Sequence, residues 1–223
     1  MIKLLVDDKE IQAREGATLL QVCLENDIYI PNLCYLPEME QPHASCRMCF
    51  VEIEGVEEPV ASCTIQVREG LVVKTATPLV RRLQRSALRL LLSVHEVDCA
   101  HCPANKKCEL QNMAKFLKVG LKTKGLEQFL KDPHIEEEHP VLNHYPNRCV
   151  LCGKCVFMGQ KGHGKPFLSF AKRGFETIIS FHGEEDSRRL THETYMACVK
   201  VCPVGAMTLK EDDTHGSDVK ERP

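Results

Sequence analysis

Eleven cysteines and one histidine sort along the chain into three groups of four. The first is Cys34, Cys46, Cys49 and Cys63, spaced C-x11-C-x2-C-x13-C. The second is His95, Cys99, Cys102 and Cys108, spaced H-x3-C-x2-C-x5-C. The third opens with Cys149, Cys152 and Cys155, a C-x2-C-x2-C run that needs a remote fourth donor, and Cys202, followed by Pro203, supplies it. Only Cys23 and Cys198 of the 13 cysteines are left over. Thiolate and imidazole in fours are the donor sets of zinc and of iron-sulfur centres. In the third group the two residues between cysteines let the backbone curl, so that successive thiolates converge on one polynuclear centre. An amide N–H such as that of Gly153 can then point at the sulfurs and stabilise added negative charge, which eases reduction.

Spacing separates the two kinds of metal site. Zinc sites normally combine two short ligand pairs. Three thiolates from a tight loop with a fourth from a remote Cys-Pro is instead the pattern of bacterial ferredoxins and of a [4Fe-4S] centre. In two-cluster ferredoxins the run C-x2-C-x2-C-x3-C-P occurs twice. Counted back from Cys202 at that spacing the positions are Cys198, Tyr195 and His192, and counted forward from Cys155 the position is Gly159. With one thiol among those four, a second cluster in this segment is lost. Cys198 is then expected to be an orphan core cysteine, as is Cys23 on the apolar face of a helix.

The elements that must carry these donors begin with a hairpin. Ile2, Leu4 and Val6 alternate with polar neighbours, Asp7-Asp8 turns the chain, and Glu10 to Arg14 returns. Thr18 with Gln21 three residues on is a capping-box pattern, and Leu19, Val22 and Cys23 line one face of a helix that ends at Asn26-Asp27. Strand, strand, helix is the opening of a β-grasp. Tyr29 to Cys49 holds three prolines and no period, which predicts a long functional loop. Phe50 to Ile53, Val60 to Cys63 and Leu71 to Lys74 read as further strands. Thr77-Pro78 starts a second helix, with Leu79, Leu83, Ala87, Leu90, Leu91 and Val94 in its stripe, and His95 at its end. Ala114 to Asn147 is polar and mixed. The domain organisation expected is α+β: a β-grasp over 1–77, a helical segment over 78–117, a connection over 118–147, a ferredoxin-like domain over 148–209 and a mobile tail over 210–223.

Composition limits what such a chain can be. Of its 223 residues 43% are hydrophobic and 27% charged, and none of its apolar runs approaches the roughly 18 residues that a spanning helix needs, so no membrane span is expected. A net charge of -2 argues against a nucleic-acid binder, whose affinity comes from neutralising phosphates. Met1 to Ile11 carries Lys3, Asp7, Asp8, Lys9 and Glu10 with no long apolar run, so no secretory signal is expected there. The thiols are therefore expected to be reduced and the protein cytoplasmic, with cysteines that serve metals rather than disulfides. At 5% aromatic residues and no Trp, apolar cores must be small, and the metal sites must help hold the fold together.

The order of the three donor groups resembles the N-terminal iron-sulfur region of the large electron-transfer subunit of respiratory complex I. A similar region occurs in [FeFe] hydrogenases, and as a free-standing small subunit of the diaphorase module of cytoplasmic NAD-linked [NiFe] hydrogenases. The resemblance runs to Leu209, and one histidine with three cysteines is its most specific motif. It implies a [2Fe-2S] cluster on Cys34, Cys46, Cys49 and Cys63 in the β-grasp domain. It also implies a [4Fe-4S] cluster on His95, Cys99, Cys102 and Cys108, and another on Cys149, Cys152, Cys155 and Cys202. The large domains into which complex I and [FeFe] hydrogenase chains continue are not expected here, so the chain itself carries electrons without being the catalyst.

Other motifs lead elsewhere and are set aside. Gly159 to Lys165 matches the opening of a P-loop, but Pro166 replaces the Mg²⁺-binding Ser or Thr and no strand leads in. His95-Glu96 and His192-Glu193 begin H-E-x-x without the second histidine of a zinc protease. His134, His139 and His144 share no helical face and are expected to be solvated. Arg81, Arg82, Arg85 and Arg89 read as the polar face of a helix, with a phosphate or acidic partner surface as the alternative. No G-x-G-x-x-G follows a strand, so FMN and NAD(P) belong to a partner. The expected function is an electron-transfer subunit between a flavoprotein that oxidises NAD(P)H and the small and large subunits of a [NiFe] hydrogenase. A formate dehydrogenase or [FeFe] hydrogenase complex is the alternative setting, and a structural zinc scaffold is the rival from another class.

Overall fold

The computed structural model describes residues 1–122, 124–132, 139–163, 167–182 and 191–210. His134, the acidic run Glu136 to Glu138, the end of the P-loop-like segment and the expected tail after Lys210 lie outside the described residues. The chain forms two compact units, Met1–Val97 with Lys106–Gln128, and Asp98–Asn105 with Phe129–Pro223.

The first unit is built on a sheet ordered β2-β1-β5-β3-β4, whose strands are β1 (Ile2–Val6), β2 (Lys9–Ala13), β3 (Phe50–Ile53), β4 (Val60–Ala61) and β5 (Val72–Lys74). Asp7 and Asp8 both take positive φ, 49° and 69°, the backbone of a tight hairpin turn that matches strand twist. That turn pairs Leu4 with Ile11, so the alternate residues Leu4, Val6, Ile11 and Ala13 share the buried face. β1 also runs parallel to β5, with Leu5 opposite Val72. The helix α1 (Leu19–Glu25) lays Leu19, Leu20, Val22 and Cys23 on the core. Mixed sheet plus packed helix is the expected β-grasp. The capping box is half formed: Thr18 Oγ1 accepts from Gln21 N at 3.3 Å, but the Gln21 side chain turns to Glu25 Oε1 instead.

Helix α2 (Pro78–Ser93) starts where Thr77-Pro78 predicts it, Thr77 Oγ1 accepting from Val80 N at 3.2 Å. It buries Val80, Gln84, Leu88 and Leu92, and the apolar three each contribute roughly 1.5–3 kcal/mol on leaving water. Gln84 fits because its Nε2 donates to Phe50 O at 3.2 Å. Helix α3 (Glu109–Leu117), within the segment expected to be helical, packs beside it and buries Leu110, Met113, Ala114 and Leu117, a face at helical spacing. The arginines serve this packing. Arg81 lies 4.6 Å over the Phe116 ring, Arg85 Nε donates to Leu117 O at 3.0 Å at the carbonyl end of α3, and Arg89 donates to Lys124 O at 3.3 Å. Arg82 is exposed.

The second unit holds α4 (Lys154–His163) and α5 (His192–Val201), with two short antiparallel ladders. One pairs β6 (Leu142–His144) with β9 (Met207–Leu209), and the other pairs β7 (Leu168–Ala171) with β8 (Ile178–Phe181). β6 falls inside the segment expected to be connection. His139 and His144 are not solvated, at 4% and 1% exposure. His139 Nδ1 accepts from the amides of Val141 and Leu142, and its ring packs 4.6 Å from Phe181 and 5.2 Å from Tyr195. These non-local ring contacts are the reason for the burial. Gly159 lies within α4, so the P-loop reading fails on geometry as well.

Candidate metal centres

The four cysteines of the first quartet come from the long loop and from one short turn, and all are buried: Cys34 at 1%, Cys46 at 5%, Cys49 at 2% and Cys63 at 0% exposure. Ala44 and Arg47 flank Cys46 with φ of 51° each, bending the loop back on itself. Cys63 sits in a 3-10 turn, Ser62–Thr64, fastened by Ser62, whose N–H and hydroxyl both donate to Cys49 O at 2.9 Å. The sulfurs of Cys34 and Cys46 stand 3.4 Å apart. Hydrogen bonding from Cys46 holds the Cys34 thiol down to about 5 and pushes that of Cys46 up. The hydrogen bond between Cys49 and Cys63 likewise holds Cys49 down to about 7 and raises Cys63.

The second quartet is divided between the units. His95 follows α2 at 8% exposure, its N–H donating to Leu92 O at 3.3 Å and its carbonyl accepting from Gln128 Nε2 at 3.1 Å. Cys108 is the N-cap residue of α3, 6% exposed. Cys99 and Cys102, both half-buried, begin and cap a 3-10 turn, Cys99–His101, in the second unit. Cys102 Sγ donates to Val204 O at 3.8 Å.

All four thiols of the third quartet, Cys149, Cys152, Cys155 and Cys202, line one recess of about 340 Å³, shared with Val150, Ile179, Val204 and Met207. Leu151 and Gly153 take φ of 50° and 75°, which gives the curl expected of C-x2-C-x2-C. The Leu151 amide donates to Cys149 Sγ at 3.4 Å and the Ala206 amide to Cys202 Sγ at 3.3 Å, the kind of N–H to sulfur contact that the spacing suggests. Burial pushes the Cys149 thiol up to about 12 and that of Cys155 well above its ordinary value. Four convergent thiols in an apolar recess, with amides already turned to sulfur, fit an iron-sulfur centre. Among the described residues no group of three or more His, Cys, Asp or Glu is gathered as closely as a single metal ion requires.

Where the two-cluster pattern would repeat, side chains fill the space. Tyr195 is 3% and Cys198 0% exposed, and the Phe167 ring meets Tyr195 edge-on at 5.8 Å. A Cβ on Gly159 would stand 2.7 Å from Phe167 Cε1. Cys198 Sγ donates to Cys155 O at 3.5 Å, and burial pushes its thiol up to about 12. Sequence reasoning overlooked two polar residues near the third quartet, Lys131 and Asn147, which sit in the supposed connection and are 6% and 1% exposed.

Three family models match the chain in succession: a 2Fe-2S iron-sulfur cluster binding domain over residues 1–78, the NADH-ubiquinone oxidoreductase-G iron-sulfur binding region over 84–121, and the ferredoxin-like domain of NADH-quinone oxidoreductase subunit 3 over 139–208. They indicate a 2Fe-2S cluster and 4Fe-4S clusters. Among similar curated proteins, the NADPH-Fe(3+) oxidoreductase subunit alpha of Geobacter sulfurreducens is 33% identical over 94% of this chain and 24% of its own length. The NADH-ubiquinone oxidoreductase 75 kDa subunit of Reclinomonas americana is 31% identical over 94% of this chain and 30% of its own. The chain thus spans about a quarter to three-tenths of these relatives. A chain of the NAD+-reducing [NiFe]-hydrogenase, solved in its H2-reduced state, superposes with a TM-score of 0.81 at 30% identity, covering 94% of this chain and 88% of that one. Among the described residues no helix is long and apolar enough to cross a membrane.

Proposed function

We infer that this chain, which belongs to the iron-sulfur family shared by the NADH-ubiquinone oxidoreductase 75 kDa subunit and a chain of the NAD+-reducing [NiFe]-hydrogenase, is an electron-transfer subunit of an NAD(P)-linked hydrogenase complex. It relays electrons between a flavoprotein that holds FMN and meets NAD(P)H and the small and large hydrogenase subunits. Its ligands are Cys34, Cys46, Cys49 and Cys63 for one [2Fe-2S] cluster. His95, Cys99, Cys102 and Cys108 serve one [4Fe-4S] cluster, and Cys149, Cys152, Cys155 and Cys202 serve another. The observation that carries the reading is the third recess, where all four expected thiols line one cavity. The likeness to the hydrogenase chain supports the choice of complex.

The clusters, when bound, supply the one-electron redox change. The residues of this chain do the rest. Cysteine thiolates bind and fix position, while the amides of Leu151 and Ala206 donate to ligand sulfur and favour the more negative, reduced state. Val150, Ile179 and Met207 give the third recess an apolar wall.

The test is anaerobic purification of the chain. A relay is brown, contains about ten irons per chain from one two-iron and two four-iron centres, and gives EPR signals on reduction. A colourless, zinc-loaded protein ends the reading in favour of a structural scaffold. Co-purification with its neighbours identifies the complex. Reduction of NAD(P)+ by hydrogen that requires this chain supports a hydrogenase, and reduction driven by formate alone moves the relay to a formate dehydrogenase. The isolated chain is expected to show no oxidation of NADH with an artificial acceptor.

A further inference from the structure

Charge is unevenly distributed along the chain. Residues 1–77 hold 13 Asp and Glu against 6 Lys and Arg, whereas residues 78–128 hold 10 Lys and Arg against 4 Asp and Glu. A chain of net charge -2 thus concentrates +6 in one segment. Within the first unit the fold gathers much of that charge into a strip. Arg81, Arg85 and Arg89 recur four residues apart on α2, and each reaches the stretch that ends and follows α3: Arg81 to the Phe116 ring, Arg85 to Leu117 O at 3.0 Å and Arg89 to Lys124 O at 3.3 Å. The same stretch carries Lys115, Lys118, Lys122 and Lys124, all exposed. Packing holds the arginines, and the lysines are left in water. An aromatic pair stands at the Arg81 end, where Tyr29 and Phe116, 41% and 40% exposed, meet edge-on at 4.8 Å. Half-exposed aromatic rings beside arginine, bordered by charge, are the make-up of a protein interface.

We propose that this strip, between α2 and residues 115–124, is the docking surface for a partner subunit that presents an acidic face. The proposal rests on the reading of the chain as one subunit of a complex. Complementary charge steers such a partner to the strip and gives the contact a rim that salt weakens. Nucleic acid is a poorer occupant, because outside residues 78–128 the chain carries -8 and repels a polyanion. A second copy of this chain could offer the acidic residues of 1–77, but that contact is head-to-tail and does not close on itself as a two-fold dimer does.

The experiment is zero-length carbodiimide cross-linking, which joins a lysine amine to a carboxylate in contact with it, applied to the complex that co-purifies with the full chain and read by peptide mass mapping. Cross-links from Lys115, Lys122 or Lys124 to Asp or Glu of another subunit are expected. Links from these lysines only to carboxylates of this chain, in the same copy or a second, overturn the proposal, as does a full chain that purifies with no partner. The charge-reversed chain Lys115→Glu/Lys122→Glu/Lys124→Glu, checked for wild-type iron content, is expected to associate with the cross-linked subunit at least about tenfold more slowly at about 0.01 M ionic strength, and the difference closes at about 1 M, where screening acts within about 3 Å. Lys115→Arg/Lys122→Arg/Lys124→Arg keeps the wild-type rate. Equal rates for the charge-reversed and wild-type chains at low salt overturn the proposal, and so does tighter binding of a DNA duplex than of the subunit. Cross-linking needs no variant, so a charge-reversed chain that fails to fold leaves the first test decisive. A complex that is cross-linked as expected but holds no iron defeats the relay reading alone, and an iron-loaded, active complex without these links defeats the docking surface alone.

Discussion

Gly205 and Ala104 meet with no room for a side chain between them: a Cβ on Gly205 would stand 2.8 Å from Ala104 Cβ, 3.2 Å from Ala104 N and 3.4 Å from Cys102 Sγ. Within the second unit, the loop carrying Cys102 is thus pressed against the loop that follows Cys202. Gly205 also takes φ +65°, a backbone state that costs a residue with a Cβ about 1–2 kcal/mol. Gly205→Ala is expected to lower stability by about 2–4 kcal/mol, strain and overpacking together. Denaturant unfolding of the loaded chain measures this, and a change within a few tenths of a kcal/mol counts against the contact.

The aromatic plug gives a second prediction. Phe167 is 2% exposed and faces Gly159, Tyr195 and His139. Phe167→Ala opens a cavity and is expected to cost about 3–5 kcal/mol. Gly159→Ala is expected to destabilise through its collision with the ring, and the double variant Gly159→Ala/Phe167→Ala loses less than the two costs summed, because the collision is gone. Strict additivity in unfolding free energy argues that the two do not touch.

His95 yields a third. Under the ligand set proposed above, a neutral His95 imidazole in place of a thiolate leaves that centre less negative and raises its potential, as histidine does in Rieske centres. His95→Cys is expected to lower the midpoint of that [4Fe-4S] centre in a redox titration. A midpoint unchanged or raised would falsify histidine ligation.

The fourth concerns pH. Burial, with the Asp7 carboxylate adding to it, pushes the Cys23 thiol from 9.0 up to about 12. The fold thus favours the neutral thiol. The stability this contributes is complete below pH 9, where the unfolded thiol is also protonated, and is lost as pH rises toward 12. Between pH 9 and pH 11 wild type is expected to lose stability more steeply than Cys23→Ala. In the native protein at pH 8.5 Cys23 is expected to resist iodoacetamide until denaturant is added, as peptide mass mapping reads out. Native labelling as fast as that of the unfolded chain is the contrary result.

Metal removal is the fifth. Cys149 and Cys155 are neutral thiols when metal-free, since burial raises both, and they must lose their protons to bind. Reconstitution with iron and sulfide in weak buffer should release protons, and chelators should strip the centre more readily as pH falls. Removal should also loosen the Cys34 to Cys49 and Cys99 to Cys108 loops, seen as lost hydrogen-exchange protection. Native-like protection in apo-protein contradicts this.

Elements with strong local signals were legible in the sequence. The Asp7-Asp8 turn, the Thr18 cap and Thr77-Pro78 each specify their neighbours' backbone, and the structure has strand, helix and helix there. The third recess was legible because its spacing is itself the geometry. Helix α3 falls within the segment expected to be helical, 78–117, but its own bounds and its face of Leu110, Met113, Ala114 and Leu117 were not legible, because it starts at a candidate ligand, Cys108, and runs into polar sequence. β6 is three residues long, too short to show a period, and exists through its pairing with β9. Burial of His139, His144 and Lys131 comes from partners distant in sequence, Phe181 and Asn147 among them, and leaves no local trace.

The parallel pairing of Leu5 with Val72 imposes a timetable on assembly. As the chain leaves the ribosome, β1 and β2 can zip at once, yet the sheet cannot close until β5 has emerged, after every cysteine of the first quartet is already outside. Those sulfurs therefore spend an interval bare to oxygen and stray metals, and contacts so far apart in sequence form slowly. Delivery of iron and sulfide during synthesis, rather than after release, should then give the higher yield of intact protein.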